Sequence, residues 1–420
     1  MPRDHPHVAS VPDDLVLEGR LLLPDGPSGV RMAHARVRIA DGRIAAVLPA
    51  AGSPAPDLGG PDWFIAPGFV DAHTHLPQYG VLGADGMDLL TWLARVVFPA
   101  EAAWEDERHA ADETERVART LLSYGTTALA AYATSHAPGA AAALRVLAEH
   151  GFAGHVGMVL MDRGAPDELC VPADRALREA TRLNGQRAGR MAHAVTPRFA
   201  LSCSPELLHG AGALAQGSGL AVQTHLSETI AECEAATRLH DAPDYTTIYA
   251  RAGLLTRRTL LGHAIHLSDA ERATLAASGS IAAHCPQANV FLRAGAFDRA
   301  RTLAAGVPVA LGSDVGAGTD RSMVRVARAM LDVAKGRDDC PPDRLPTAAD
   351  AWAQITRINA RLLGLDDCGE VRSGAWADLV LCRPDEGWTK APDPLGYLLH
   401  AWDDRWIRGV WAAGVRRHTA

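Results

Sequence analysis

The chain has 420 residues, of which 48% are hydrophobic and 21% charged, as is usual for a folded globular protein. Its net charge of −8 and the lack of a basic stretch argue against binding of nucleic acid through phosphate groups. No uncharged apolar run approaches the ~18 residues of a membrane span, and the polar start predicts no signal peptide. The seven cysteines, odd in number and without a C-x-x-C pair, favour a reduced, cytoplasmic location.

Both ends of the chain are rich in short β-type segments. Residues 14–65 include "DLVLEGRLLLPDG" and "ARVRIADGRIAAVLPA", in which Asp-Gly pairs mark turns. Residues 369–417 include "GEVRSGAWADLVLCRP" and "RWIRGVWAAGVRR". This pattern predicts one small β-sandwich domain formed by the N- and C-terminal segments, 1–65 and 369–420.

The middle of the chain, residues 66–368, alternates short apolar strands with helix-like stretches such as 105–125 and 204–219. Alternation of this kind predicts an α/β fold, and eight repeats over about 250 residues predict a TIM (β/α)8 barrel. A doubly wound open sheet is the alternative, and the number of strands favours the barrel. The predicted strands are 67–73, 126–133, 154–161, 192–201, 220–226, 259–264, 280–284 and 307–313.

Polar residues follow several of these strands, at the end where such barrels have their active sites. The first strand ends at His73 and His75, the fifth at His225, the sixth at His263 and the eighth at Asp314. Residues i and i+2 of a strand point to one side, so His73 and His75 can chelate one ion, completed by His225 and Asp314. Three nitrogens and one oxygen suit a single Zn²⁺ per chain, with Fe²⁺ as an alternative.

The same strand ends supply candidate acid–base groups. A metal bound there would lower the pKa of a water molecule towards neutrality and yield a hydroxide nucleophile. Glu228, three residues past His225, is the candidate for moving protons to the leaving group. His263 can orient the hydroxide or polarise the bond under attack, and Asp314 can also accept the proton of the water. Each residue alone would be an ordinary strand-end or turn residue, but together they predict a metal-dependent active site.

These residues resemble the amidohydrolase superfamily, in particular its deaminase branch with one metal, and the match covers nearly the whole chain. Within that branch the sequence is similar to the guanine deaminases. H-T-H and G-S-D occur in many amidohydrolases and indicate only the chemistry. Gln78, "FPAE" at 98–101 and "TPRF" at 196–199 are far narrower in their distribution, and they indicate the substrate. The resemblance rests on "PGFVDAHTHLPQY", "WLARVVFPAE", "TPRFALSCS", "QTHLSE", "YTTIYARAGLLT", "GHAIHLS", "AHCPQAN" and "LGSDVGAG".

The resemblance implies substrate contacts and a reaction. Gln78 would read an amide-like purine edge, Arg198 would donate to a carbonyl oxygen, and Phe199 would lie against the flat base. Alternatively, Gln78 caps a loop, Arg198 forms a salt bridge and Phe199 belongs to the core; Trp92 and Phe98 are expected to pack. The implied reaction is attack at C2 of guanine, with xanthine and ammonia as products, zinc as the metal and a homodimer as the assembly.

Several features bear on the substrate. Neither Lys335 nor Lys390 lies on a predicted barrel strand, so the lysine-bridged pair of metals found in related hydrolases is not expected. The segment 287–289 reads Gln-Ala-Asn where the family usually has Asn-Ser-Asn, and Arg293 follows in a predicted loop near the pocket mouth. A deaminase of another aminated heterocycle, such as 8-oxoguanine, a pterin or a triazine, therefore stays open. An amide hydrolase is a further alternative, although such enzymes often use the lysine-bridged pair of metals that is missing here. An inactive scaffold is another, which the complete ligand set disfavours.

Overall fold

The computed structural model describes residues 14–26 and 29–419, so the remainder of the predicted terminal domain, 1–13, 27–28 and 420, lies outside the described residues. The strands are β1 (Leu15–Asp25), β2 (Gly29–Ala40), β3 (Arg43–Pro49), β4 (Leu58–Pro67), β5 (Phe69–His75), β6 (Thr126–Tyr132), β7 (Ala153–Gly157), β8 (Val159–Leu160), β9 (Arg187–Ala188), β10 (Arg190–His193), β11 (Thr196–Pro197), β12 (Val222–Leu226), β13 (Thr259–His263), β14 (Ile281–His284), β15 (Val309–Leu311), β16 (Leu379–Cys382), β17 (Ile407–Ala412) and β18 (Val415–Thr419).

Helices alternate with the central strands. They are α1 (Leu89–Trp92), α2 (Phe98–Ala102), α3 (Glu107–Ser123), α4 (Ala137–Glu149), α5 (Ala173–Asn184), α6 (Pro205–Ser218), α7 (Ile230–His240), α8 (Tyr245–Arg251), α9 (Asp269–Ser278), α10 (Pro286–Phe291), α11 (Arg299–Ala304), α12 (Met323–Lys335), α13 (Ala348–Ala353), α14 (Asn359–Leu362) and α15 (Pro394–His400). A π-helical turn, Leu93–Val97, joins α1 to α2, and another, Gln354–Ile358, joins α13 to α14. No helix of the described residues is both long and apolar enough to cross a bilayer.

The central strands form two runs of parallel neighbours, β5-β6-β7-β10 and β12-β13-β14-β15. A parallel bridge between Val195 and Val222 joins the runs on one side. On the other side, the N–H of Asp314 donates to the carbonyl of His73 at 2.8 Å. The carboxyl ends of these parallel strands therefore lie close together.

One buried side chain holds the first and last of these parallel strands together. Asn359 Nδ2 donates to the carbonyls of Val70, on β5, at 2.8 Å and of Leu311, on β15, at 2.7 Å. Its Oδ1 accepts from the N–H of Leu311 at 3.0 Å. This single side chain thus pairs with three buried backbone groups, the carbonyls of Val70 and Leu311 and the N–H of Leu311.

A strand lies at each position where the sequence predicts a central strand, although most of the observed strands are shorter than predicted. The predicted strand 192–201 differs most, because it divides into β10 and β11 and ends in the 3-10 turn Ala200–Ser202. Pro197 has no N–H to donate to a strand ladder, which ends the strand early. The predicted helix-like stretches 105–125 and 204–219 contain α3 and α6.

The two ends of the chain share one sheet, in the order β18-β17-β16-β4-β1-β2-β3. Its pairs are antiparallel except for β1 and β4, which run parallel. The strands bury their own apolar cluster, which includes Leu17, Val37, Ile65, Leu379 and Trp411. From β4 of this sheet, the chain passes directly into β5, which carries His73 and His75.

A buried ion pair ties this sheet to the central strands. Arg190, on β10, donates from Nη1 to Asp378 Oδ2 at 2.6 Å and from Nη2 to Oδ1 at 2.8 Å. Asp378 also accepts from the N–H of Ala413 at 2.8 Å. The carboxylate is fully paired, as a buried charge must be.

Candidate active site

Eight of the nine residues predicted for the site line one pocket at the carboxyl ends of the parallel strands. The ninth, His73, lies beneath this lining, its ring centroid 5.2 Å from that of His75. The predicted residues of the lining are His75, Gln78, Arg198, Phe199, His225, Glu228, His263 and Asp314. The structure thus brings together residues that are up to 241 positions apart, the separation of His73 and Asp314 (314 − 73).

Three imidazoles and one carboxylate converge at the pocket floor. Asp314 Oδ1 lies 3.5 Å from Nε2 of His73 and 3.5 Å from Nε2 of His75. His75 Nε2 lies 3.1 Å from His225 Nε2. All four side chains are at least nine-tenths buried.

The burial of His75 and His225 favours the unprotonated nitrogens that metal binding requires. His225 donates from Nδ1 to the carbonyl of Arg198 at 2.6 Å, which leaves a lone pair on Nε2 facing His75. His73 Nε2 is buried and has no hydrogen-bond partner among the described residues. Burial, together with neighbouring positive groups such as Arg198, holds the pKa of both His75 and His225 well below the usual value. Unprotonated nitrogens that face one another beside a carboxylate fit a divalent cation.

The backbone at these strand ends is strained. Ser227, His263 and Asp314 all adopt left-handed conformations, with φ of 49°, 67° and 49°. Non-glycine residues rarely occupy this region, and each such residue costs of order 1–3 kcal/mol unless the surroundings enforce it. For Asp314 the enforcing contact is the bond from its N–H to the carbonyl of His73, which also fixes the two predicted ligands relative to each other.

Glu228 is placed by the start of the next helix. Thr229 and Glu232 form a capping box, in which Thr229 Oγ1 accepts from the N–H of Glu232 at 3.2 Å. Glu232 in turn accepts from the N–H of Glu228 at 2.9 Å. Burial, reinforced by the nearby carboxylates of Glu232 and Asp314, raises the pKa of Glu228 well above its usual value. Burial beside these carboxylates therefore favours the protonated form of Glu228.

His263 is oriented by a residue that the sequence analysis noted only as part of an unusual segment. Asn289 Oδ1 accepts from His263 Nδ1 at 2.9 Å, which turns Nε2 towards the site. That nitrogen lies 3.6 Å from Glu228 Oε2 and 3.8 Å from Asp314 Oδ2. Burial lowers the pKa of His263 to about 4, so Nε2 is an acceptor at neutral pH.

Gln78 and Arg198 occupy one side of the pocket and share a partner, Glu101. Arg198 Nη1 lies 2.6 Å from each carboxylate oxygen of Glu101. Gln78 Nε2 donates to Glu101 Oε1 at 3.4 Å. Arg198 was predicted as either a substrate contact or a salt bridge, and in the structure it both lines the pocket and forms an ion pair.

The opposite wall is apolar, and it contains residues that were not predicted for the site. The lining includes Leu89, Trp92, Leu93, Leu292 and Ala317 as well as the predicted Phe199. Trp92 was expected only to pack, yet it lines the pocket, and its buried Nε1 has no hydrogen-bond partner among the described residues. Phe98 packs as expected, with the Arg198 guanidinium 5.4 Å from its ring centroid.

The segment after β14 is a short helix rather than the predicted loop. Pro286 begins α10, where its fixed φ and missing N–H suit the first helical turn. Leu292, just past the helix, lines the pocket, whereas Arg293 lies in an outer cavity beside Asp85 and Thr229. The unusual arginine is therefore at the entrance and not among the residues that line the pocket.

Comparisons with known proteins agree with this geometry. Residues 64–416 match the model of the amidohydrolase family. The chain is 35% identical to a probable guanine deaminase of Deinococcus radiodurans, over 84% of this chain and 80% of that protein. It also resembles the structure of guanine deaminase from E. coli, with 28% identity and a TM-score of 0.89 over 96% of this chain and 99% of that one. Guanine deaminase from C. acetobutylicum with guanine bound has 27% identity and a TM-score of 0.88, over 96% and 99% of the two chains.

Proposed function

Because the chain belongs to the amidohydrolase family and, within it, to the guanine deaminases, we propose that it catalyses the hydrolytic deamination of guanine to xanthine and ammonia. The observation that carries this proposal is one pocket that joins three kinds of group. They are a cluster fit for a cation, a buried carboxyl that holds a proton, and a donor–acceptor pair on the side wall.

We propose that His73, His75, His225 and Asp314 hold one divalent metal ion, Zn²⁺ or Fe²⁺. The ion would supply Lewis-acid activation of a water molecule, so that attack on the substrate is feasible near neutral pH. The support comes from the orphaned Nε2 of His73 and the opposed nitrogens of His75 and His225.

The protonated carboxyl of Glu228 delivers its proton to the ring nitrogen next to C2, then takes the proton of the new C2 hydroxyl and passes it to the departing amine, which leaves as ammonia. The proton that Asp314 takes from the attacking water then returns Glu228 to its starting state. The acceptor Nε2 of His263, fixed by Asn289, lies close enough to Glu228 and Asp314 to orient the attacking water. Asp314 is the second carboxylate that can take up a proton as the water attacks. The three groups lie on three different strand ends, so no single loop has to position them all.

The purine lies between the apolar wall and the polar side of the pocket. Phe199 and Trp92 contact its faces or edges, as flat aromatic side chains suit a flat base. Arg198 donates to the carbonyl oxygen at C6, and Gln78 contacts the neighbouring ring N–H. The apolar lining excludes water from all but the reacting carbon.

Strand order and composition support our proposals for the fold, the domains, the location and the assembly. We propose that the eight central strands close into a (β/α)8 barrel over residues 66–368, on the strength of the bridges at both sides of the two parallel runs. The segments 1–65 and 369–420 would form a small β-sandwich, supported by the shared sheet and its separate apolar cluster. A cytoplasmic homodimer is proposed from the seven free cysteines and the family resemblance.

The test is ammonia release from a panel of purines, pterins and triazines, with the metal content of the same sample measured by mass spectrometry. Guanine turnover with one zinc or iron per chain supports the proposal. His225→Asn should lose both metal and turnover, while the matched control His418→Asn, on the terminal strand β18, should keep both. A metal-loaded enzyme that is silent on guanine but active on another heterocycle would contradict the substrate assignment.

A further inference from the structure

Glu101 is a completely buried carboxylate behind the polar wall of the pocket. It is not among the residues that line the pocket, yet it contacts two that are, Gln78 and Arg198. A carboxylate offers only acceptors, so both neighbours must turn a donor towards it. Glu101 therefore decides which hydrogen-bonding groups the two side chains have left for a ligand.

For Gln78 the consequence is a fixed amide orientation. Its Nε2 donates to Glu101, which leaves Oε1 as the free end of the amide. That oxygen is buried and has no hydrogen-bond partner among the described residues. A buried acceptor without a partner is unfavourable, and a ligand donor would supply the missing hydrogen bond. Gln78 thus offers the pocket an acceptor.

For Arg198, the contact with Glu101 leaves hydrogen-bond donors, not an acceptor, for a ligand. Both hydrogen bonds to Glu101 use Nη1, and Nη2 and Nε form none with the part of the chain that the structure describes. The side chain is nevertheless 97% buried and lines the pocket. Arg198 therefore offers donors, beside the acceptor that Gln78 offers.

Glu101 and Gln78 have little freedom to exchange these roles. The backbone carbonyl of Glu101 accepts from Thr134 Oγ1 at 3.0 Å, which ties α2 to the end of β6. Gly316 packs against Gln78 so closely that a Cβ there would lie 2.5 Å from Gln78 Oε1. The π-helical turn Leu93–Val97 precedes α2, which carries Glu101, and such turns are frequent at functional sites.

We propose that Glu101 is a positioning residue that sets the donor–acceptor polarity of Arg198 and Gln78, and so makes the site select a lactam edge. This inference rests on the proposed function. A lactam presents a carbonyl oxygen next to a ring N–H, which matches a donor beside an acceptor. An amino-substituted ring presents an N–H donor next to an unprotonated ring nitrogen, and would meet two mismatched groups.

The expected substrate preference depends on how many hydrogen bonds the disfavoured substrate fails to form. Sites that are built to pair with a particular polar group reject analogues without it by about 10⁴–10⁵-fold. Guanine and 2,6-diaminopurine form a suitable pair, because both carry an amine at C2 and they differ only at C6 and N1. We expect the unmodified enzyme to prefer guanine by at least about 10³-fold in kcat/KM.

The test is the kcat/KM ratio for these two substrates in Glu101→Gln, which keeps the shape of the side chain but adds a donor. With a donor at position 101, Gln78 can reverse its amide and Arg198 loses its ionic partner. We expect the guanine preference to fall at least about tenfold, through a rise in KM for guanine rather than a fall in kcat. Glu101→Asp keeps the acceptor-only chemistry and should retain the preference within about threefold.

The matched control is Asp378→Asn, since Asp378 is another buried carboxylate paired with an arginine but lies away from the pocket. It should lower the melting temperature and leave the substrate ratio unchanged. If Glu101 only neutralised Arg198 for stability, Glu101→Gln would behave in the same way, and the proposal would be overturned.

Two further outcomes separate this inference from the proposed function. An unmodified enzyme that releases no ammonia from guanine overturns the function, whereas an active enzyme whose Glu101→Gln variant keeps the original ratio overturns only the role of Glu101. If that variant does not fold, inhibition of guanine turnover in the unmodified enzyme gives the second measurement. Hypoxanthine, a lactam, should inhibit at least about 100-fold more tightly than adenine; equal inhibition would overturn the polarity assigned to the pair.

Discussion

Glu228 shows how burial beside other carboxylates can change the chemistry of a side chain, because both raise its pKa. We expect Glu228→Gln to retain the metal but to lose turnover by about 10²–10⁴-fold, because the amide cannot transfer a proton. Ammonia release and metal content measured on one sample test this expectation. Near-normal kcat in the variant would show that another group transfers the proton.

The indole Nε1 of Trp92 is a single atom that we expect to affect substrate binding. Its buried Nε1 has no partner among the described residues and belongs to a side chain that lines the pocket, so a substrate acceptor can satisfy it. We expect Trp92→Phe to raise KM for guanine about five- to tenfold, the value of one hydrogen bond. The control is Trp352→Phe, whose Nε1 already donates to the carbonyl of Leu395 at 3.1 Å. That variant should lose stability and leave KM unchanged.

At the scale of elements, the sequence predicted the parallel strands and the polar residues at their ends, because apolar runs and strand-end polarity are local features. It did not predict Glu101 or Trp92 as parts of the site. Glu101 follows the π-helical turn Leu93–Val97, which departs from the 3.6-residue period on which the reading of a helix face relies. It also missed α10, where Pro286 suits a loop and a first helical turn equally well.

The connection between β15 and α12 gives a prediction at this scale. Gly316 has a φ of +123° and contacts Gln78, so an added Cβ would both strain the backbone and displace the amide. We expect Gly316→Ala to raise KM for guanine at least about tenfold. Gly374→Ala is the control, because Gly374 also has a positive φ, +85°, but open space around it. Equal KM values in the two variants would mean that Gln78 does not contact the substrate.

At the scale of the whole molecule, the terminal sheet and the central strands depend on each other through Arg190 and Asp378. We expect Asp378→Ala to lower the free energy of unfolding by about 3–5 kcal/mol, because it leaves a buried arginine without its partner. Denaturant unfolding followed by tryptophan fluorescence measures the loss. A change below about 1 kcal/mol would indicate that water replaces the carboxylate.

Asn359 also sets an order of events during synthesis. It binds β5 and β15, so the contacts between the strand that carries His73 and His75 and its last neighbour are complete only after residue 359 has left the ribosome. At roughly 5–20 residues per second, the two histidines wait on the order of tens of seconds before Asp314 reaches them. Assembly of the proposed metal site is therefore a late step, and a nascent chain released before residue 314 carries the proposed histidine ligands without the carboxylate of Asp314.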